Sequence, residues 1–371
     1  MSVEDNEKLA SDLAALGYPG LSYLKAYRRE EAIRVTRERS RSCAETWRGQ
    51  GVDLSGYNTN ESADDIEALR KALGAKKVSL WGISYGTTLA LATIKRHGQN
   101  IDRAILAEVE GLDSMLKPPR EVQQHLVDIA LLVQADPNLN KQIPDFLGLM
   151  RTVLDHLEKE PVTVEVTDPR TKQRVKVTIN KYVMQLLTAS AIGTDAIVVA
   201  FPRLYLAASK GDFSEIATLW LNLSRSSIGS AMAFMTDCSS GASVERRRRI
   251  QREARETLLE NAADIVFPDV CDSWGNPDLG RSLRAPVKSN IPVLFISGTL
   301  DGRTPVSSAE EVRKGFRNSK HLIIEGAWHG DPLFLSSLKI KDVMLEFMRG
   351  TLLSTIKITL PPLKFAPLKS S

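Results

Sequence analysis

Apolar positions follow two rhythms along the chain, and the places where the rhythm changes divide it into parts. The first fifty residues are charged, with apolar positions at helical spacing: 7–16 is amphipathic, Gly17, Tyr18, Pro19 and Gly20 interrupt it, and 24–47 resumes it. No strand pattern occurs there. After a loop over 51–59, Ser62 reads as the N-cap of a helix with Asp64 and Asp65 in its first turn. Ala63, Ile66, Leu69 and Leu73 would be its buried stripe, and Gly74 its end. Residues 78–81 then form a short run of β-preferring residues, 87–94 returns to helical spacing until about Arg96, and 104–109 reads as a second buried strand. Strand, helix and strand in succession predict a parallel sheet covered by helices.

From 113 to 288 the helical rhythm dominates, with long segments at 121–135 and 144–159. It is broken by one hairpin-like pair, 162–166 and 174–179, alternating around Asp168 and Pro169. A mostly helical insertion of this kind reads as a lid above the carboxyl ends of the strands, where substrates bind; a separate helical module is the other reading. The strand-helix alternation resumes at Pro292, with strands at 293–296 and 322–324 and helices at 309–316 and 338–349, before a Pro-rich tail. The expected organisation is therefore 1–112 as the first part of an α/β core, 113–288 as the lid, and 289–371 as the second part of the core.

A chain of 371 residues can bury an ample interior. Its net charge of +4, with both signs well mixed, implies no nucleic-acid partner, and the run from Arg246 to Arg249 reads as a solvated helix face. There is no N-terminal apolar leader and no apolar stretch of about 18 residues. The expectation is no membrane partner and a cytoplasmic chain as written, although a longer parent could be exported. Cys43, Cys238 and Cys271 are spaced too widely for a zinc motif. They read as ordinary thiols, or Cys238 and Cys271 form a disulfide, which would mean maturation in an oxidising compartment. No dinucleotide or phosphate-loop motif is present, so neither cofactor nor metal is expected.

The candidate chemistry lies in KVSLWGISYGTTLALAT, residues 77–93, where Gly82-Ile83-Ser84-Tyr85-Gly86 joins a strand to a helix. A serine in such a turn exposes its Oγ, and the flanking glycines are expected to remove side chains that would collide with backbone. The Tyr85 amide and the positive end of the following helix are placed to hold an oxyanion. Serine needs a base, and the base an orienting carboxylate, which in a sheet of this kind follow in the order Ser, Asp or Glu, His. Of the five histidines, His97 ends a helix, His125 and His156 lie within lid helices, and His321 begins a strand. Only His329 follows a strand in a Gly-flanked loop. Asp301 directly follows the strand at 293–296, whereas Asp195, Asp237 and Asp272 follow none.

The motifs GISYGT, ISGTLDGRTPV and EGAWHGD agree in order and spacing with a known family. Segments 58–93, 292–310 and 325–334 resemble the α/β-hydrolase family of prolyl and tripeptidyl aminopeptidases, in register from roughly Arg41 to the C-terminus, with Leu360-Pro361-Pro362 included. The resemblance implies a serine peptidase that releases N-terminal residues or short peptides, with Ser84 as nucleophile, His329 as base and Asp301 as its orienter. It also implies carboxylates beneath the lid that hold the substrate's α-amine. Glu108 and Glu110 could point into the cleft, and Glu110 is the candidate; a loop carboxylate paired with an arginine is the alternative.

Members of that family carry an upstream strand with an H-G-G-P-G-like loop and a later D-Q-R-G segment, and neither motif is found here. Residues 17–20 echo the loop without a preceding strand. Losing its amide would cost about 10²–10³ in rate, roughly 2.7–4 kcal/mol, and the elbow strand would lie at an unpaired sheet edge. The expectation is a core lacking its N-terminal strands, from a truncated product or a degenerate relative. Three functions remain open: an aminopeptidase, an esterase or amidase on small acyl compounds, and an inactive binding or structural protein.

Overall fold

The computed structural model describes residues 28–224 and 230–368. The segment 7–16 and the Gly17-Tyr18-Pro19-Gly20 break lie outside the described residues. Among the described residues seven strands follow in chain order: β1 (Val78–Ile83), β2 (Ile101–Ala107), β3 (Val162–Thr167), β4 (Arg174–Ile179), β5 (Val293–Gly298), β6 (Ser319–Glu325) and β7 (Lys357–Thr359). Five of them form a sheet in the order β1-β2-β5-β6-β7, parallel throughout, and β3 and β4 pair antiparallel in a separate hairpin.

β5 shows why the sheet holds. All six of its residues are buried, and alternate side chains enter different cores. Val293 and Phe295 join Leu91, Ile94, Ile101, Leu106 and Phe316 on one face. Leu294 and Ile296 join Ile105, Leu322, Ile324, Val343 and Phe347 on the other. The first face is covered by the helix Tyr85–His97 and the second by Leu338–Arg349. Among the described residues β1 is an edge strand, and Trp81 on it is 61 % exposed and packs edge-on against Phe334.

The helical layer has its own core. Leu126, Ile129, Met150, Leu157, Tyr205 and Trp220 belong to a cluster drawn almost wholly from the segment between β2 and β5. Leu300 and Trp328, from the loops after β5 and β6, also enter it and join the two layers. Cys238, in the helix Ala231–Ser240, is bonded to Cys271. Cys43 is buried and free.

Several expectations need correction. The helix before β1 spans Thr59–Ala72 and is capped by Asn58, whose side chain accepts from the Asn60 and Glu61 amides, so Ser62 already lies in its first turn. It buries Thr59, Ala63 and Glu67, with Arg70 pairing the Glu67 carboxylate, whereas Leu69 and Leu73 face solvent. The Arg246 to Arg249 run is only partly a solvated face: Arg246 donates to the Leu116 carbonyl, and Arg249 pairs with Glu121 and Glu253. His321 lies within β6, bonded to Glu310 and Ser297, not at its start. The Pro-rich tail supplies β7, and its continuation lies on the helical layer, where the Ala366 amide donates to Val199 and Leu363, Phe365 and Leu368 pack on that core.

Phe295→Ala is expected to lower unfolding free energy by about 3–5 kcal/mol in urea titrations, because it empties a site in the sheet's interior. The same truncation at Trp81 is expected to cost within about 1 kcal/mol.

Candidate active site

Four neighbouring strands end level, and each delivers one residue to the same place. Ser84 follows β1, Glu108 follows β2, Asp301 lies three residues past β5, and His329 lies four past β6. Backbone bonds continue the ladder beyond the strands: the Ser84 amide donates to Ala107, Glu108 to Ile296, and Thr299 to Ile324.

Ser84 adopts φ 53°, ψ −123°, a conformation an L-residue holds only where its surroundings fix it. Gly82 is part of that surrounding, since a Cβ there would stand 2.4 Å from the Gly86 carbonyl oxygen. A Cβ on Gly86 would meet nothing within 4 Å, so the collision expected on both sides of the serine exists on one side only. Tyr85 begins the helix, where an N–H has no intrahelical acceptor. Its phenol is held by Thr59, which also bonds Ser240.

The Ser84 Oγ is 3.1 Å from His329 Nε2, and His329 Nδ1 is 2.8 Å from Asp301 Oδ2. Asp301 is 2 % exposed, and burial alone would raise its carboxyl. Hydrogen bonds with His329, the Thr304 hydroxyl and the Thr304 amide, with His329's charge, outweigh burial and hold it below the usual carboxylate range. Thr304 was not singled out from the sequence; its signal is its place in Asp-Gly-Arg-Thr, where an Asx-type turn brings the hydroxyl back to the aspartate. His125, set aside as a lid residue, packs edge-on against Trp328 and beside Gly302, and burial drives it down to about 4. It is therefore neutral at ordinary pH.

Glu108 is wholly buried at φ 56°, and its Oε1 accepts from the Gly330 amide at 2.7 Å. Glu110, two residues on, turns elsewhere, and its carboxylate is paired with Lys117. Lys117, Asp237 and Arg303 line a cavity of about 390 Å³ between the acid loop and the helical layer. Asp237 is pushed up to about 7, by burial first and by the Glu110 charge second, against the pull of Lys117 and Arg303. Its carboxylate has no hydrogen bond or ion pair among the described residues. Of the other aspartates weighed from sequence, Asp272 is paired with Arg37. Among the described residues no group of three or more His, Cys, Asp or Glu side chains is placed to hold a metal ion.

Gly82→Ala is expected to cost about 1–3 kcal/mol and to displace Ser84, whereas Gly86→Ala keeps the turn; thermal melts and serine reactivity measured side by side check this. Asp237 makes a pH prediction. Its folded pKa lies above the unfolded value of 3.8, so it contributes stability that is full below that value and is lost as pH rises through about 7. Asp237→Asn is expected to flatten that part of the stability profile between pH 4 and 7.

An epoxide hydrolase from hot-environment metagenomes is 15 % identical, over 82 % of this chain and 76 % of that one, with a TM-score of 0.33. A thermophilic esterase from Thermogutta terrifontis is 14 % identical over 79 % and 72 %, with a TM-score of 0.32. No curated protein matches the chain. Two family models do match, one described as alpha/beta hydrolase fold over residues 37–192 and one as TAP-like protein over residues 260–350. The sheet and these two matches make the chain a member of the α/β-hydrolase family, with a TAP-like match over residues 260–350.

Proposed function

We propose that the protein is a serine hydrolase that works through an acyl-enzyme on Ser84, and that its substrates are peptides with a free N-terminus. The continuous contact from Ser84 Oγ through His329 to Asp301 carries this reading. His329 Nε2 takes the Ser84 proton as Oγ attacks the acyl carbon. Nδ1–H stays on Asp301, whose depressed carboxyl remains an anion to face the imidazolium. The oxyanion forms at the Tyr85 amide, at the positive end of the helix Tyr85–His97. His329 then returns the proton to the leaving amine, and water repeats the cycle on the acyl-serine.

Two observations support a peptide substrate. The TAP-like match spans Asp301 and His329. The cavity beside the acid loop also offers a carboxylate, Asp237, with Glu110 close enough to raise its pKa. Lys117 already answers the Glu110 charge, so Asp237 is assigned as the principal partner of the substrate ammonium and Glu110 as its neighbour. An ammonium entering there would restore Asp237 to its anionic form. The Cys238–Cys271 bond favours maturation in an oxidising compartment. Among the described residues no helix is long and apolar enough to cross a membrane.

Fluorophosphonate labelling is expected to be stoichiometric at Ser84, absent in Ser84→Ala, and slowed by at least about 10³ in His329→Ala. An unlabelled but folded wild-type chain overturns the proposal. Aminoacyl anilides with a free amine should be cleaved in preference to their N-acetyl forms and to short-chain esters. Asp237→Asn should raise KM for them by about 10-fold or more, the loss of one charge-assisted hydrogen bond. Preference for esters, unaffected by Asp237→Asn, would make the protein an esterase.

A further inference from the structure

The proposed chemistry uses three of the four residues at the strand ends and leaves Glu108 without a task. Its position is not that of a packing residue. The side chain is 0 % exposed, and Oε1 is fixed by the amide of Gly330, the residue next to His329. Oε2 lies 3.5 Å from His329 Nδ1, the atom that Asp301 also faces, and has no hydrogen-bond partner among the described residues. That separation is too long for a good hydrogen bond but short for a charge interaction in a site withdrawn from water. A leucine or glutamine would fill the space without leaving a carboxylate oxygen buried and unanswered.

We propose that Glu108 is a second positioning carboxylate for His329, sharing with Asp301 the positive charge that the imidazole acquires when it takes the Ser84 proton. This rests on the serine-hydrolase reading above. The groups facing Glu108 are His329, Asp301, Asp331 and the Gly330 amide. Burial pushes it up to about 7; the charges of Asp301 and Asp331 add to that, while His329 and the Gly330 amide oppose it. Below that pH it is a neutral acid and gives the imidazolium little. Above it, the anion supports a positive ring. Proton accounting stays simple: Nε2 gains and later returns the serine proton, Nδ1 keeps its own, and Glu108 exchanges its proton with solvent as pH changes.

The test is the rate of fluorophosphonate labelling of the full chain from pH 5 to 9, for wild type, Glu108→Gln, Asp301→Asn and the double variant. Melting curves establish that each is folded. Glutamine keeps an oxygen for the Gly330 amide, so a purely structural Glu108 predicts no change. The proposal predicts that Glu108→Gln labels about tenfold more slowly at pH 8 and that its pH profile loses one ionisation near neutrality. It further predicts that Asp301→Asn loses about 10², less than the roughly 10⁴ that follows loss of a sole acid, and that the double variant falls to that level. Equal rates and profiles for wild type and Glu108→Gln, or equal rates for Asp301→Asn and the double variant, overturn it. An unlabelled wild-type chain would overturn the serine reading and this one with it, whereas a labelled wild type with an unchanged Glu108→Gln overturns this one alone.

Discussion

The site depends on the register of four parallel strands. Ladder bonds continue past the strand ends to Ser84, Glu108 and Thr299, so the loops leave the sheet from a level rim, with little freedom to drift. A rim built in this way is stiff because β2 and β5 are held on both sides and buried on both faces. The contact between Ser84 and His329 spans 245 residues of sequence, yet it is fixed by pairings of neighbouring strands. Precision at the site is therefore a property of the sheet, and the loops only carry it over a few residues.

Charge is arranged around that rim with little solvent to help. Asp301 is the acid that the surroundings favour as an anion, through the two Thr304 donors and a facing imidazole. Glu108 and Asp237 are the opposite case, carboxyls that burial pushes toward the neutral form. Environments that separate the pKa values of neighbouring acids divide labour between them. Here one acid is set for constant charge, and the other two respond to whatever positive group stands nearby.

Much of this was legible in the sequence, and the reason is locality. The serine turn, the acid loop and the histidine loop each announce themselves within a few residues, through glycines, turn formers and a preceding apolar run. Their order along the chain suffices to connect them. What escaped was set by partners far away in sequence. Leu69 and Leu73 have helical spacing but face solvent, because the helix Thr59–Ala72 turns Ala63 and Glu67 inward. The segment Lys357–Thr359 is too short to register as a strand without β6 beside it. Glu108 and Glu110 look interchangeable on paper. The left-handed backbone at Glu108 sends one carboxylate to His329 and leaves the other to Lys117, and nothing in their spacing foretells it.

The carboxyl-terminal tail has a mechanical meaning. After β7 the chain leaves the sheet and lies along the helical layer, bonded to Val199 and packed by Leu363, Phe365 and Leu368. It acts as a strap across the seam between the two layers. Lifting the helical layer away as a unit would require peeling the strap and, behind it, a strand only three residues long. Rotation of a single side chain that lines the cavity, such as Arg303, requires no such peeling.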